Sequence, residues 1–387
     1  MMNWLLRVVA ALLIGIGIAG YVSVLWQRVP PFRTEFAIAF ESNRSSFTND
    51  IFLYENGRIR QLIETDEHEG HLSWSPDGSQ LLYEGYRDPA DLSASSFDAR
   101  SNLDIWLYDI QLQAALALTN HPANDFQPAW SPDGTYIAFI SVRDAPATGG
   151  ADLYVLHVNT GTITRITPKS SIIAQFAWSP DSHSLAFAGR PTPVRTNPPF
   201  NIYLADVTTP GNPQVRVLLQ HPDSSDLLPR FSPDGQYLTF LSDINSNQNI
   251  TLVNIETSQQ FNLLPAGYRM QENAAWSPAG KLVAVSAYGG SSSTSSDIHI
   301  IDVTTLSGGS GTITDTITNP RNDRSPAWSP DGKHIAFVHD QRQTGRFAYA
   351  GNCEIMVYDI ATRVQHRLAK AAEGTCDNNP VWRPISG

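Results

Sequence analysis

Trp328-Ser-Pro-Asp-Gly332 decides the fold, because the chain repeats it. Trp74-Ser-Pro-Asp-Gly78, Trp130-Ser-Pro-Asp-Gly134 and Trp178-Ser-Pro-Asp-Ser182 are close copies. Phe231-Ser-Pro-Asp-Gly235 and Trp276-Ser-Pro-Ala-Gly280 are variants, and Trp382-Arg-Pro384 is a truncated copy. The interval runs from 45 residues (Phe231 to Trp276) to 56 (Trp74 to Trp130). A period of this size marks a repeat architecture.

Within each copy, Pro presets φ for the first corner of a type I turn. Asp tolerates the second corner, and Gly follows where the chain leaves it. Ser-Pro-Asp-Gly is therefore a tight hairpin turn. A short segment ending in the aromatic precedes it. A short apolar run follows, as in Leu81-Leu-Tyr83, Ile137-Ala-Phe139, Leu185-Ala-Phe187 and Ile335-Ala-Phe337. Runs this short between turn residues read as buried strands. A third strand comes next, for example Asp104-Ile-Trp-Leu-Tyr108, Asp152-Leu-Tyr-Val-Leu156 or Asn201-Ile-Tyr-Leu-Ala205. A fourth closes the unit, at 116–119, 163–167, 215–219, 261–264, 313–317 and 365–369. Four antiparallel strands per repeat make the blade of a β-propeller.

The two ends of the repeat region give the blade count. Ala37-Ile-Ala-Phe40 reads as a second strand with no aromatic motif before it. Asp50-Ile-Phe-Leu-Tyr54 and the run 59–63 follow as third and fourth strands. Pro380-Val-Trp382 is a first strand with nothing after it. Together they complete one blade, which closes the ring and removes the edges an open array would keep. The expectation is an all-β, seven-bladed propeller over residues 35–387.

The pattern Pro-x-Trp-Ser-Pro-Asp-Gly-x-x-Ile-Ala-Phe, followed by Asp-Ile-Tyr-like strands, resembles the repeat of the TolB-type propeller family across 35–387. The resemblance implies the repeat and an extracytoplasmic setting. TolB itself carries six blades behind a separate N-terminal domain, so a Tol–Pal role is not implied.

Residues 1–34 are a different material. Val8 to Trp26 is 19 residues without a charge, close to the length that crosses a bilayer core. Trp4 and Trp26 stand at the two expected interfaces, and Val29-Pro-Pro-Phe32 reads as a stiff tether. A cleaved signal peptide is the alternative, but Ile18-Ala-Gly20 is a poor cleavage site. The expected organisation is a transmembrane anchor and tether at 1–34, with the propeller outside the cytoplasm.

The formal net charge of −11 excludes the basic face that nucleic-acid binding requires. The chain has no Gly-x-Ser-x-Gly elbow, P-loop or His-Glu-x-x-His motif. His68 and His71 alone make a weak metal signal. The Asp of each Ser-Pro-Asp-Gly belongs to the turn. Cys353 and Cys376 are the only cysteines. They lie in a second-to-third and a fourth-to-first strand connection, which emerge on one face of a blade. They are expected to form a disulfide in an oxidising compartment.

One constellation points to a ligand. Five residues before the motif aromatic stand Glu69, Asp125, Ile173, Asp226, Gln271, Asp323 and Asp377. Three before it stand His71, Gln127, Gln175, Leu228, Asn273, Ser325 and Asn379. First strands line a propeller's axis, so both columns are expected around one mouth of the channel. The competing reading is that the Asp side chains cap local turns. A binding mouth would use Glu69, His71, Asp125, Gln127, Asp226, Asn273, Asp323, Asp377 and Asn379. Mutual repulsion would raise the pKa values of its carboxylates. No cofactor is required by any motif. If an ion is held, oxygen donors favour Ca²⁺, with Asp226 and Asp377 as candidate ligands. Two functions fit. One is a non-catalytic scaffold or sensor that binds a protein or peptide. The other is a propeller enzyme or carbohydrate-binding protein with an acidic, metal-assisted site. Lactonases, phytases and glycan-active propellers place acidic clusters there.

Overall fold

A computed structural model describes residues 36–385, apart from segments at 46–47, 66–67, 87–101, 145–148, 169–170, 192–197, 210, 212, 245–246, 271–273, 290–291, 307–309, 342–351 and 369–373. The expected membrane anchor at 1–34 lies outside the described residues. Among those that are described, no helix is long and apolar enough to cross a membrane.

The described strands form seven separate antiparallel sheets. Six read straight along the chain. The sheet after Asp125–Trp130, for instance, adds Tyr136–Ser141, Asp152–His157 and Ile163–Arg165 in order. The seventh joins the two ends: Asp377–Trp382 pairs with Ile38–Ser42, which pairs with Asp50–Glu55 and then Arg58–Ile63. Ala39 faces Val381 and Ile38 faces Trp382 across this seam. We number the closure blade I and the others II to VII along the chain. The first strand of blade VI is split into Arg269–Met270 and Ala275–Trp276.

The Ser-Pro-Asp-Gly segments are the turns their residues imply. In blade II the amide of Gly78 donates to the carbonyl of Ser75 at 2.8 Å, and Gly78 takes a φ of 68°. The Ser75 hydroxyl donates to Asp77 at 2.6 Å, and Asp77 accepts the amide of Ser79 at 3.0 Å. The same Ser-to-Asp bond recurs at Asp133, Asp181, Asp234 and Asp331. These carboxylates are occupied with the turn. The turns also tile: Pro76 lies in van der Waals reach of Gly134, and Pro180, Pro233 and Pro278 lie likewise beside Gly235, Gly280 and Gly332.

The core lies between blades. Leu82 and Ile105 of blade II share a cluster with Trp130, Phe139 and Tyr154 of blade III. The motif tryptophan adds a polar tie to its apolar burial, as buried indoles do when an acceptor is in reach. Trp328 donates to the carbonyl of Ala275, Trp382 to Ala327, Trp74 to Val381 and Trp178 to Ala129. Each acceptor belongs to the preceding blade, so one side chain both fills the gap and fixes the spacing.

The fourth strands are shifted or shortened against the apolar runs that suggest them: Ile163–Arg165 and Gln365–Arg367 start where expected and end early. Ala114–Ala117 replaces 116–119, and Gln260–Asn262 replaces 261–264. The outer strand faces water, so burial does not mark its limits; all four residues of Ala114–Ala117 are exposed.

Cys353 and Cys376 are disulfide-bonded, with Cα atoms 4.2 Å apart. Cys353 opens the third strand of blade VII, and Cys376 precedes the strand that completes blade I. The bond staples the last blade to the seam.

Candidate functional site

The inner strands carry an irregularity that the repeat pattern conceals. In blade II the register jumps between Gly70 and Ser73, so His71 and Leu72 together oppose one residue of the second strand. The first of the two is left-handed, with φ of 52° at His71. The same bulge holds Gln127, Leu228, Ser325 and Asn379 at φ of 47–56°. Glycine is the usual residue in such a bulge. Non-glycine residues there cost about 1–3 kcal/mol each and cluster at functional sites. Prolines 128, 229, 326 and 380 follow four of the five. Proline has no N–H to leave unpaired, which suits a bulged edge strand.

The bulge separates the two expected columns. Residues two apart on a regular strand share a face, but the extra residue breaks that alternation. Two abutting cavities, of about 480 and 520 Å³, occupy the space between the first strands. His71, Gln127, Gln175 and Leu228 line the first, and His71, Ser325 and Asn379 line the second. The column three before the aromatic therefore comes together around the axis. Asn273 lies outside the described residues.

The column five before the aromatic does not join it. Glu69, Asp125, Asp226, Asp323 and Asp377 are all buried, and none lines either cavity. Asp377 accepts from Arg44 at 2.5 Å and from Ser42 at 2.6 Å. Asp125 accepts from Arg143 at 2.6 Å. Asp226 pairs with His221 at 2.7 Å and accepts from Ser242 at 2.8 Å. Asp323 pairs with His339 at 2.8 Å and accepts from Asn319 at 2.8 Å. Glu69 accepts from Thr65. Each carboxylate is engaged locally, mostly by the second strand of its own blade or the connection entering it. Burial raises the pKa of Asp226, Asp323 and Asp377, and their donors offset it only in part. The cause is desolvation and not repulsion around a ring. Asp323 does exert a like-charge effect on Asp297, which burial first and the charge of Asp323 second push up to about 6.

Asp226 and Asp377 sit in blades V and I and share no ligand set. Among the described residues, no group of three or more His, Cys, Asp or Glu side chains is placed to hold a metal ion.

Two further acids bond to the bulge residues. Glu41 and Glu84 are buried on the second strands of blades I and II. Glu41 accepts the bulge amide of His71 at 3.0 Å and the side-chain amide of Asn379 at 2.9 Å. Glu84 accepts the bulge amide of Gln127 at 2.7 Å and pairs with His71 Nδ1 at 2.8 Å. Burial disfavours the His71 imidazolium, but the Glu84 bond and the charges of Glu84 and Glu41 outweigh it. The His71 pKa is raised. The ring itself stays open to the channel, with 55% of the side chain exposed.

Arg230 completes the site. It lines both cavities, as His71 does, and comes from blade V, across the ring from blade II. The sequence carries a signal for it. One residue before the aromatic, the other blades have Ser73, Ala129, Ala177, Ala275, Ala327 and Val381. Small residues suit the crowded axis, so a lone arginine there is out of character. Glu41 and Glu84 have a fainter mark. They follow the aromatic of the second strand, where other blades have Ile140, Ala188, Leu241, Ser286 and Val338.

A family description for the TolB β-propeller domain matches residues 195–349. An uncharacterized protein of Agrobacterium fabrum is 27% identical over 304 residues, 77% of this chain and 92% of that protein. The Tol-Pal system protein TolB of Francisella tularensis is 28% identical over 212 residues, 54% of this chain and 44% of TolB. A puromycin-hydrolyzing peptidase of Mycobacterium tuberculosis superposes with a TM-score of 0.62 at 14% identity, over 88% of this chain and 52% of the peptidase. The chain thus spans about half the length of TolB and of the peptidase. At that identity the peptidase shares a fold, and its chemistry does not transfer.

Proposed function

Starting from a TolB-like β-propeller, we propose that this chain binds a peptide segment of a partner protein in its axial channel and performs no chemistry of its own. One observation carries the reading. The two axial cavities abut into a continuous space of a size suited to ligands, and the bulge column gives it polar walls. His71, Gln127, Asn379 and Asn273 are the proposed contacts. Glu69, Asp125, Asp226, Asp323 and Asp377 support them from within the blades. The propeller is proposed to work outside the cytoplasm, tethered by residues 1–34. The disulfide supports an oxidising compartment.

The second reading is an enzyme, and the His71–Glu84 pair is its specific support. A carboxylate on Nδ1 leaves Nε2 available as a proton acceptor. One histidine–carboxylate pair carries the enzyme reading less far than the cavities carry binding.

A photo-reactive side chain at Ser325, on the channel wall, tests the proposal. In intact cells it is expected to capture a discrete partner. The same group at Leu112, 75% exposed on the outer rim, is not. No adduct from Ser325, or the same adducts from both positions, would sink the binding reading.

A further inference from the structure

Among the described residues, Arg230 holds a charge with no carboxylate partner. Nη1 donates to the carbonyl of Pro229 at 2.8 Å and reaches that of Phe176 at 3.5 Å. Both acceptors are neutral, and no carboxylate among the described residues is paired with the guanidinium. Burial lowers its pKa without an opposing charge, though an arginine stays protonated in any case. The surroundings do little to screen it: Ala177, Leu228, Ala274, Trp178 and Trp276 line the same cavities. The acids bonded to the bulge residues, Glu41 on the channel wall and Glu84 behind His71, are committed to His71, Gln127 and Asn379. Arg230 is half-buried, and a partly desolvated charge without a counter-ion carries a cost. Here the cost falls in a cavity large enough to admit the missing anion.

We propose that Arg230 is the anchor for the C-terminal carboxylate of the bound peptide. This rests on the axial channel being a peptide site and adds the chemistry by which the peptide is held. A guanidinium presents a planar fork that matches a carboxylate through two parallel bonds. Nε and Nη2 are the donors left over once Nη1 serves the two carbonyls. The bulge residues His71, Gln127, Ser325 and Asn379 ring the remaining space and offer donors and acceptors to the peptide backbone. Net charge narrows the ligand further. The chain carries −11, so a polyanion is repelled from its surface before it reaches the axis. A single carboxylate at the tip of a neutral or basic peptide is not. The sign is opposite to that expected of an acidic mouth: the acidic column is engaged within the blades, and the charge on the cavity wall is positive.

The test uses the full chain, immobilised, and two degenerate tetrapeptide libraries of equal composition. One library ends in free carboxylates and the other in amides. Retention is read by mass spectrometry. The free acids are expected to be retained about 10- to 100-fold better than the amides, the range of a hydrogen bond to a charged group. Arg230→Met should lose that preference while keeping the wild-type melting temperature. Arg230→Lys, a charge without the fork, should keep part of it. If acids and amides are retained equally by the wild type, the anchor is refuted while the peptide channel stands. If the Met variant still prefers acids, the carboxylate is read elsewhere and the anchor is refuted. If neither library is retained, the peptide channel is refuted and the anchor with it.

Discussion

Arg383 Nε donates to the carbonyl oxygen of Gly78 at 2.6 Å, joining residues 305 positions apart. The Arg383 guanidinium also lies 5.5 Å from the centre of the Trp74 ring, and its backbone amide donates to Ala37 at 2.8 Å. The truncated motif copy thus takes the place in the ring of turns that a complete Ser-Pro-Asp-Gly occupies elsewhere. Closure is made by the strand pairing of the seam and by this turn-level contact together.

Trp382→Ala removes a buried indole that packs against blade I, contacts blade VII and donates to Ala327 at 2.9 Å. A loss of about 3–5 kcal/mol is expected, the range for large aromatic truncations. Urea denaturation checks it. A midpoint within error of wild type would mean that the seam does not limit stability.

The Cys353–Cys376 bond spans 23 residues of sequence. In the chain-entropy model a loop of that length is worth about 3 kcal/mol. The Cys353→Ser/Cys376→Ser double variant is expected to melt lower by that order without changing fold. Its far-ultraviolet circular dichroism should overlay that of the oxidised protein. Two free thiols in the purified wild type would contradict the bond.

Asp377→Asn leaves Arg44 facing a neutral amide in place of a buried carboxylate, and Asp226→Asn does the same to His221. Each is expected to cost about 1–3 kcal/mol. Binding of free-acid peptides should persist at temperatures where the variants remain folded. Loss of binding with unchanged stability would return these carboxylates to the ligand site.

Asp297 has a folded-state pKa near 6, above the value of about 4 for an unfolded chain. Its contribution to stability is complete below about pH 4 and is lost as pH rises through 6. The size is on the order of 2 kcal/mol. Asp297→Asn should remove this dependence, so the gap in melting temperature between variant and wild type should widen from pH 4 to pH 7. A constant gap would place the titration elsewhere.

The repeat made most of the fold legible. Pro-Asp-Gly fixes a turn by local sterics, and the aromatic before it must find an inter-blade slot, so neither depends on distant context. The fragments at Ala37 and Trp382 announced the closure blade for the same reason. The cysteines could be paired because blade topology alone sets which connections share a face. The site was only half readable. His71, Gln127 and Asn379 do face the axis, but Asp226 and Asp377 do not. An alternation argument assumes a regular strand, and nothing in Gln127-Pro128 or Ser325-Pro326 declares a left-handed residue. Glu41 and Glu84 were hidden inside runs that otherwise read as buried core. Arg230 stood in plain view among small residues, yet an alignment that asks only for acids passes over it.

In five blades a bulge exempts one left-handed residue from the ladder. Its neighbours must keep their register for the sheet to pair, whereas His71, Gln127, Leu228, Ser325 and Asn379 hang free of that obligation. Where the side chain has no hydrogen-bonding partner within its own blade, as at Leu228, its identity is set by what fills the channel more than by the sheet. The recognition surface is in effect an annulus of positions, written around the axis and scattered along the chain. Two such propellers could share nearly all their structural residues and still differ completely in what they hold.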